Sequence, residues 1–288
     1  MKSKIFNFLK FIIGWPLSLL ALFFIVKLTI PQLPTLLTQI NKISILNLFF
    51  AFICFFIYYF IRGYIWKRMI KLSGHEISYK DANFIWAASE IQRYIPGNIW
   101  SFLGRAIMFS ERGINKKVFA KYSIMEIQLL IISSITVSLL SIPFLIKYFS
   151  LDLPYYFMVI FAVGAILMFL FKNPLHSDIK ESLYLLFLNL FMFLTFGFGY
   201  FLTFVSFFPI SPALTFDLIG FSVLSFIIGY LSLLTPSGFG VREGAIIFGL
   251  NKIMPIAAAS FLALFSRFIL IIAEVIFVFV SYIWYKKF

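Results

Sequence analysis

Residues 81–110, DANFIWAASEIQRYIPGNIWSFLGRAIMFS, decide how this chain is threaded. The segment is moderately apolar and is interrupted by Pro96 and Gly97. Proline removes a backbone donor and breaks a helix, and glycine permits the turn that follows. Both flanks are basic: Arg62 to Lys80 contains Arg62, Lys67, Arg68, Lys71 and Lys80, and the stretch after Ser110 contains Arg112, Lys116, Lys117 and Lys121. Basic connections of a membrane chain stay on the cytoplasmic side. A single crossing between these flanks would place one of them outside, so the segment reads as two half-helices forming a re-entrant hairpin.

Working outward, the composition supports a bilayer as the solvent. Hydrophobic residues make up 62% of the chain and charged residues 12%, and the mean hydropathy is +1.02, which no ordinary soluble domain approaches. Ile43 to Ile61, Ser123 to Ile146, Tyr155 to Phe171 and Leu183 to Phe208 are nearly uncharged and long enough to cross about 30 Å of hydrocarbon. Lys2, Lys4 and Lys10 precede an apolar run from Phe11 to Val26 with no small-residue cleavage site after it, so an uncleaved first helix is expected. The connections are too short for a soluble catalytic domain, and residues 1–288 read as one membrane domain. Cys54 is the only cysteine, and His75 and His176 lie in polar connections, so no disulfide, metal site or cofactor is expected. The net charge of +13 gathers between apolar segments rather than in a nucleic-acid patch, and no nucleic-acid partner is expected.

A second broken element follows in residues 216–250, FDLIGFSVLSFIIGYLSLLTPSGFGVREGAIIFGL, with Pro236, Ser237, Gly238 and Gly240 at the break. The two hairpins, about 81–110 and about 214–252, share an order: Asp81 or Asp217, an apolar arm, the break, then Arg105 or Arg242 shortly before Ala106-Ile107 or Ala245-Ile246. Three expected crossings separate them: Phe119 to Lys147, Pro154 to Phe171, and Leu183 to Phe208. An odd number inverts the second hairpin relative to the first. The expected fold is therefore an all-α polytopic membrane protein of about six full crossings plus two re-entrant hairpins in an inverted repeat. It would sit in the plasma (inner) membrane with its N-terminus and, through Lys286 and Lys287, its C-terminus in the cytoplasm. Lys27, Lys42 and Lys252 fall outside in this arrangement. In the competing threading, the first arm of the second hairpin crosses fully and the C-terminus is external.

Charges inside apolar elements are costly and need partners. The cations here are Arg93, Arg105, Arg242 and Arg267, and the anions Glu90, Glu126, Glu243 and Glu274. Glu90 and Arg93 are three apart and can pair on one helical face. Ser260, Arg267, Glu274 and Ser281 recur every seven residues, giving the last helix one polar stripe that should face inward. Half-helices beginning after Gly97 and near Gly240 would aim backbone N–H groups at the breaks, where an anion is the natural ligand. The structural alternative is that these arginines reach to headgroups or pair to fix helix packing. Trp66, Trp100 and Trp284 are expected at membrane interfaces. No HExxH or paired-histidine set occurs, and Ser237 lacks a Gly-x-Ser-x-Gly frame, so an enzyme is not expected.

RYIPGNIWSFLGR at 93–105 and TPSGFGVREGA at 235–245 resemble the two signature segments of the flippase-like lysylphosphatidylglycerol synthase transmembrane family. The matching positions are Pro96, Gly97, Gly104 and Arg105, then Pro236, Gly238, Gly240, Arg242, Glu243 and Gly244; Ser237 departs, standing where many relatives have glycine. The resemblance implies a bilayer-embedded domain that moves lipids between leaflets. The family's synthases add a soluble aminoacyl transferase domain, and this sequence runs to Phe288 without one, so synthesis of lysylphosphatidylglycerol is not expected of it. The expected substrate is a phosphate-bearing lipid, either a phospholipid or a polyprenyl-phosphate-linked glycan carrier. Arg105 and Arg242 would contact the phosphate, with Arg93, Gly97, Gly238 and Gly240 completing the site. Glu243, Glu126, Glu274 and Arg267 would balance charge or carry a coupling proton. Expected partners are anionic membrane lipids and, in the alternative reading of a non-transporting subunit, enzymes of envelope lipid or glycan synthesis.

Overall fold

The computed structural model describes residues 43–94, 100–150, 179–232 and 235–286, with the isolated positions 23, 27, 30 and 163. The expected first helix, the Pro154 to Phe171 crossing and the Pro96-Gly97 break fall outside the described residues, apart from those isolated positions. Among the described residues, all regular structure is helical. The elements are α1 (Ile45–Leu72), α2 (Tyr79–Glu90), α3 (Trp100–Ser110), α4 (Lys116–Ser138), α5 (Ile142–Phe149), α6 (Ile179–Phe207), α7 (Thr215–Leu231), α8 (Val241–Leu250) and α9 (Ile256–Lys286). Short 3-10 turns at Ile91–Tyr94, Leu139–Ser141 and Pro236–Gly238 join or end them.

Among the described residues, five helical stretches are long and apolar enough to cross a membrane: Ile45–Leu72, Lys116–Phe149, Ile179–Phe207, Pro212–Leu231 and Ile256–Lys286. The chain is an all-α, multi-pass membrane protein. Four of these stretches coincide with expected crossings. The fifth, Pro212–Leu231, is the first arm of the second broken element, and its 20 residues suffice by themselves to cross, as the competing threading requires. Its partner arm is shorter: the 10 residues of α8 span about 15 Å.

One boundary differs from the sequence reading, with a consequence for the interior. The first described crossing does not end at Ile61 but continues to Leu72, because no proline or turn sequence interrupts it before Ser73 and Gly74. The Ser73 N–H caps the carbonyls of Ile70 and Lys71, and Gly74 takes φ +82°. Arg62, assigned from sequence to a basic loop, is instead buried within the helix.

The start of α2 and the end of α3 lie close together. Ser78 caps α2 by accepting the Asp81 N–H. At 12 residues α2 is about 18 Å long, well short of a bilayer. Arg112, just past α3, pairs with Asp81 at 3.4 Å. The loops at 74–78 and 111–114 thus lie side by side, enclosing a polar cleft.

Packing draws the turn that ends α2 onto the second break. α1 lies along α6 and α2, α7 packs on α6 and α4, and α8 on α7 and α9. The Ile91–Tyr94 turn touches the Pro236–Gly238 turn, and the Tyr94 and Phe239 rings stand 5.9 Å apart. Outward-facing Phe49, Phe187, Phe248 and Phe279 are exposed, as a lipid-facing surface requires. Phe55, Phe193, Phe196 and Phe204 fill the core.

Candidate functional site

The interior of this apolar bundle holds a chain of alternating charges. Glu126 on α4 accepts from Arg62 on α1 at 3.3 Å and from Arg105 on α3 at 2.8 Å. Glu90, closing α2, accepts from Arg105 at 3.1 Å and from Arg93 at 2.7 Å. Arg93, in the turn after α2, also donates to Glu274 on α9 at 2.6 Å. Three guanidiniums and three carboxylates therefore form one line, Arg62–Glu126–Arg105–Glu90–Arg93–Glu274, in which interior members each serve two neighbours. Sharing in this way lets several ions lie in a low-dielectric interior that would penalise any of them alone. The Tyr59 and Tyr94 hydroxyls donate to the same Glu274 oxygen at 3.2 and 2.7 Å.

Arg105 is fully engaged: Nε donates to Ser89 Oγ at 3.1 Å, and its two terminal nitrogens serve Glu126 and Glu90. Its guanidinium also lies 4.9 Å from the Trp66 ring centroid. Trp66 consequently does not mark an interface. It is fully buried and stacked on Phe109 and Phe119, since the extension of α1 carries it inward with Arg62. Trp100 is 42% exposed.

The second break is built around Ser237 and Gly238. Ser237 and Gly238 both take left-handed backbone, at φ +52° and +68°. At Ser237 that conformation is one glycine adopts more readily, and Arg267 holds it there by donating to the Ser237 carbonyl at 3.1 Å and to its Oγ at 3.0 Å. Gly238 lies so close to α7 that a Cβ there would come within 2.7 Å of the Gly229 carbonyl oxygen. Gly238→Ala is therefore expected to destabilise the protein by about 2 kcal/mol or more, combining left-handed strain with the clash. Thermal unfolding in detergent measures this, and an unchanged melting temperature would contradict the packing.

Glu243 turns back to accept the Gly240 N–H at 2.7 Å and stands 3.6 Å from Arg267. The N-terminal end of α8 thus has one of its free donors met internally. The polar stripe of α9 faces inward throughout: Ser260, Arg267, Glu274 and Ser281 are all buried, and Ser281 accepts from Asn83 at 2.8 Å.

Arg242 has no such arrangement. It is 5% exposed, yet no carboxylate approaches it within ion-pair distance among the described residues, and its Nε and Nη2 have no hydrogen-bond partner there. Three rings surround its guanidinium instead, with centroids at 4.8 Å (Phe196), 5.1 Å (Tyr200) and 5.2 Å (Phe226). Cation–ring attraction offsets part of the desolvation without neutralising the charge.

A cavity of about 440 Å³ lies between the broken elements. Arg242, Arg105, Arg93, Arg62, Glu90 and Glu126 supply its charged wall, and Ile127, Ile131, Phe226, Tyr230 and Leu231 its apolar wall. Of the residues expected to bind, Arg93, Arg105, Arg242 and Gly238 line it. Gly240 lies in the adjoining turn, and Gly97 falls outside the described residues. Glu126 lines the cavity, whereas Glu243, Glu274 and Arg267 stand behind its wall as charge partners. The sequence reading did not find Arg62, the tyrosine donors or the ring cage. What the geometry defines is a multi-pass membrane protein with a charged, half-apolar interior cavity. No protein-family model matches the chain, and no curated protein matches it.

Proposed function

We propose that the chain is a lipid transporter of flippase type, holding the phosphate-bearing headgroup of a membrane lipid in this cavity while the tail stays in the bilayer. The supporting observation is Arg242: a buried guanidinium on the wall of a cavity, without a carboxylate of its own among the described residues, calls for an anion from outside the protein. The apolar half of the cavity suits hydrocarbon, as a site for an amphiphile must. Broken helices meeting inside a bundle, with the short α2–α3 element read as re-entrant, follow the general plan of membrane transporters. The resemblance of residues 93–105 and 235–245 to the flippase-like lysylphosphatidylglycerol synthase transmembrane segments is consistent with this reading and rests on those motifs alone.

In this reading Arg242 contacts the phosphate directly. Arg105, whose nitrogens are already committed, sets the field of the cavity and holds Glu90 and Glu126 in place. Purified protein in vesicles bearing fluorescent phospholipids tests the proposal. Labelled lipid should exchange between leaflets at least tenfold faster than in empty vesicles. Equal rates for phospholipid and polyprenyl-phosphate probes, with and without protein, would overturn it.

A further inference from the structure

Resting on the reading of the cavity as a headgroup site, we infer that it accepts a single negative charge: a phosphodiester lipid, and not a phosphomonoester or diphosphate in its dianionic form. The observation is the charge inventory of the interior. Five arginines (62, 93, 105, 242 and 267) are gathered with four glutamates (90, 126, 243 and 274). The line from Arg62 to Glu274 is neutral as a whole, and Arg267 with Glu243 is neutral as a pair. Among the described residues Arg242 is the remaining cation of this set, so one bound negative charge brings the set to neutrality.

A second negative charge would meet a wall with no cation free to receive it among the described residues. Every other arginine on that wall already donates to carboxylates: Arg62 to Glu126, Arg93 to Glu90 and Glu274, and Arg105 to Glu90 and Glu126. Glu90 and Glu126 line the same cavity and would repel the extra charge across an interior where screening is weak. Capturing a dianion would mean withdrawing an arginine from a glutamate, leaving a buried carboxylate with fewer partners.

Two short-chain lipids with identical tails separate these cases. Dihexanoyl phosphatidylglycerol is a diester with one negative charge throughout the range from pH 5 to about 8. Dihexanoyl phosphatidic acid is a monoester that gains its second charge as pH rises through its second ionisation, about 6 for phosphomonoesters in general. Binding to the full chain in maltoside detergent is measured by calorimetry at both ends of that range, and the diester corrects for any titration of the protein. The expected result is diester affinity that changes little with pH, and monoester affinity that falls at least tenfold, relative to the diester, as the second charge forms. Arg242→Gln should weaken the diester at least tenfold.

Monoester binding that holds or tightens as it becomes a dianion would overturn the single-charge inference while leaving the headgroup site standing. Binding of neither lipid, or diester binding indifferent to Arg242→Gln, would overturn the site and this inference together.

Discussion

Replacing Arg105 with methionine is expected to lower the stability of the folded protein by about 3–5 kcal/mol, the cost of taking one partner from a buried ion network. Arg105 is 2% exposed and joins Glu90 to Glu126 while donating to Ser89. Without it each glutamate retains one arginine, Arg93 or Arg62, and the neutral line becomes two separated fragments with one negative charge in excess. Arg105→Lys should recover only part of the loss. An ammonium carries the charge but cannot present three fixed donors to Ser89, Glu90 and Glu126 at once. Thermal unfolding in detergent reads both variants. For a chain of this size the methionine variant should melt about 10 °C lower, at about 2–4 °C per kcal/mol. A melting temperature within about 2 °C of the parent would show that the network contributes little.

Arg242→Gln should behave in the opposite way, leaving the fold intact and slowing transport. Its guanidinium has no ion pair to lose among the described residues. Losing the rings of Phe196, Tyr200 and Phe226 costs about 0.5–2 kcal/mol, and relief from burying a lone charge offsets it. A charge-assisted hydrogen bond to a ligand contributes about 1.5–3 kcal/mol, so its removal should slow lipid exchange by roughly ten- to a hundredfold. Leaflet exchange in vesicles, measured beside the melting curve of the same preparation, separates the two effects. Full exchange in this variant would remove Arg242 from the binding role, and loss of folding would show that its burial is structural.

The contrast between these two arginines could not be read from sequence. The sequence set them in equivalent positions, each just before an Ala-Ile pair in a broken element. What separates them is tertiary: α2 and α4 bring Ser89, Glu90 and Glu126 to Arg105, and α6 and α7 bring only rings to Arg242. The inward face of α9 was legible, because a seven-residue spacing of polar groups on an apolar helix has one face to occupy. The Glu90–Arg93 pair was legible for the same local reason. Arg62 was not, because a basic residue at the end of an apolar run looks like the start of a loop when no turn signal is weighed. The ring cage left no trace either, since 41 phenylalanines offer no periodicity that singles out Phe196 or Phe226.

The line of shared charges also sets an order of assembly during synthesis. Arg93 and Glu274 are 181 residues apart, so at roughly 5–20 residues per second the ribosome needs roughly 10–40 seconds to supply the second after the first. For that interval the early helices hold a guanidinium whose distal partner has yet to be made. Arg93 keeps Glu90 meanwhile, and the part of the line already made carries one positive charge in excess. Arg62, Glu90, Arg105 and Glu126 are all made before α6, and can gather as soon as α4 arrives. Entry of α9 then closes the line, and with Glu274 in place its charges sum to zero.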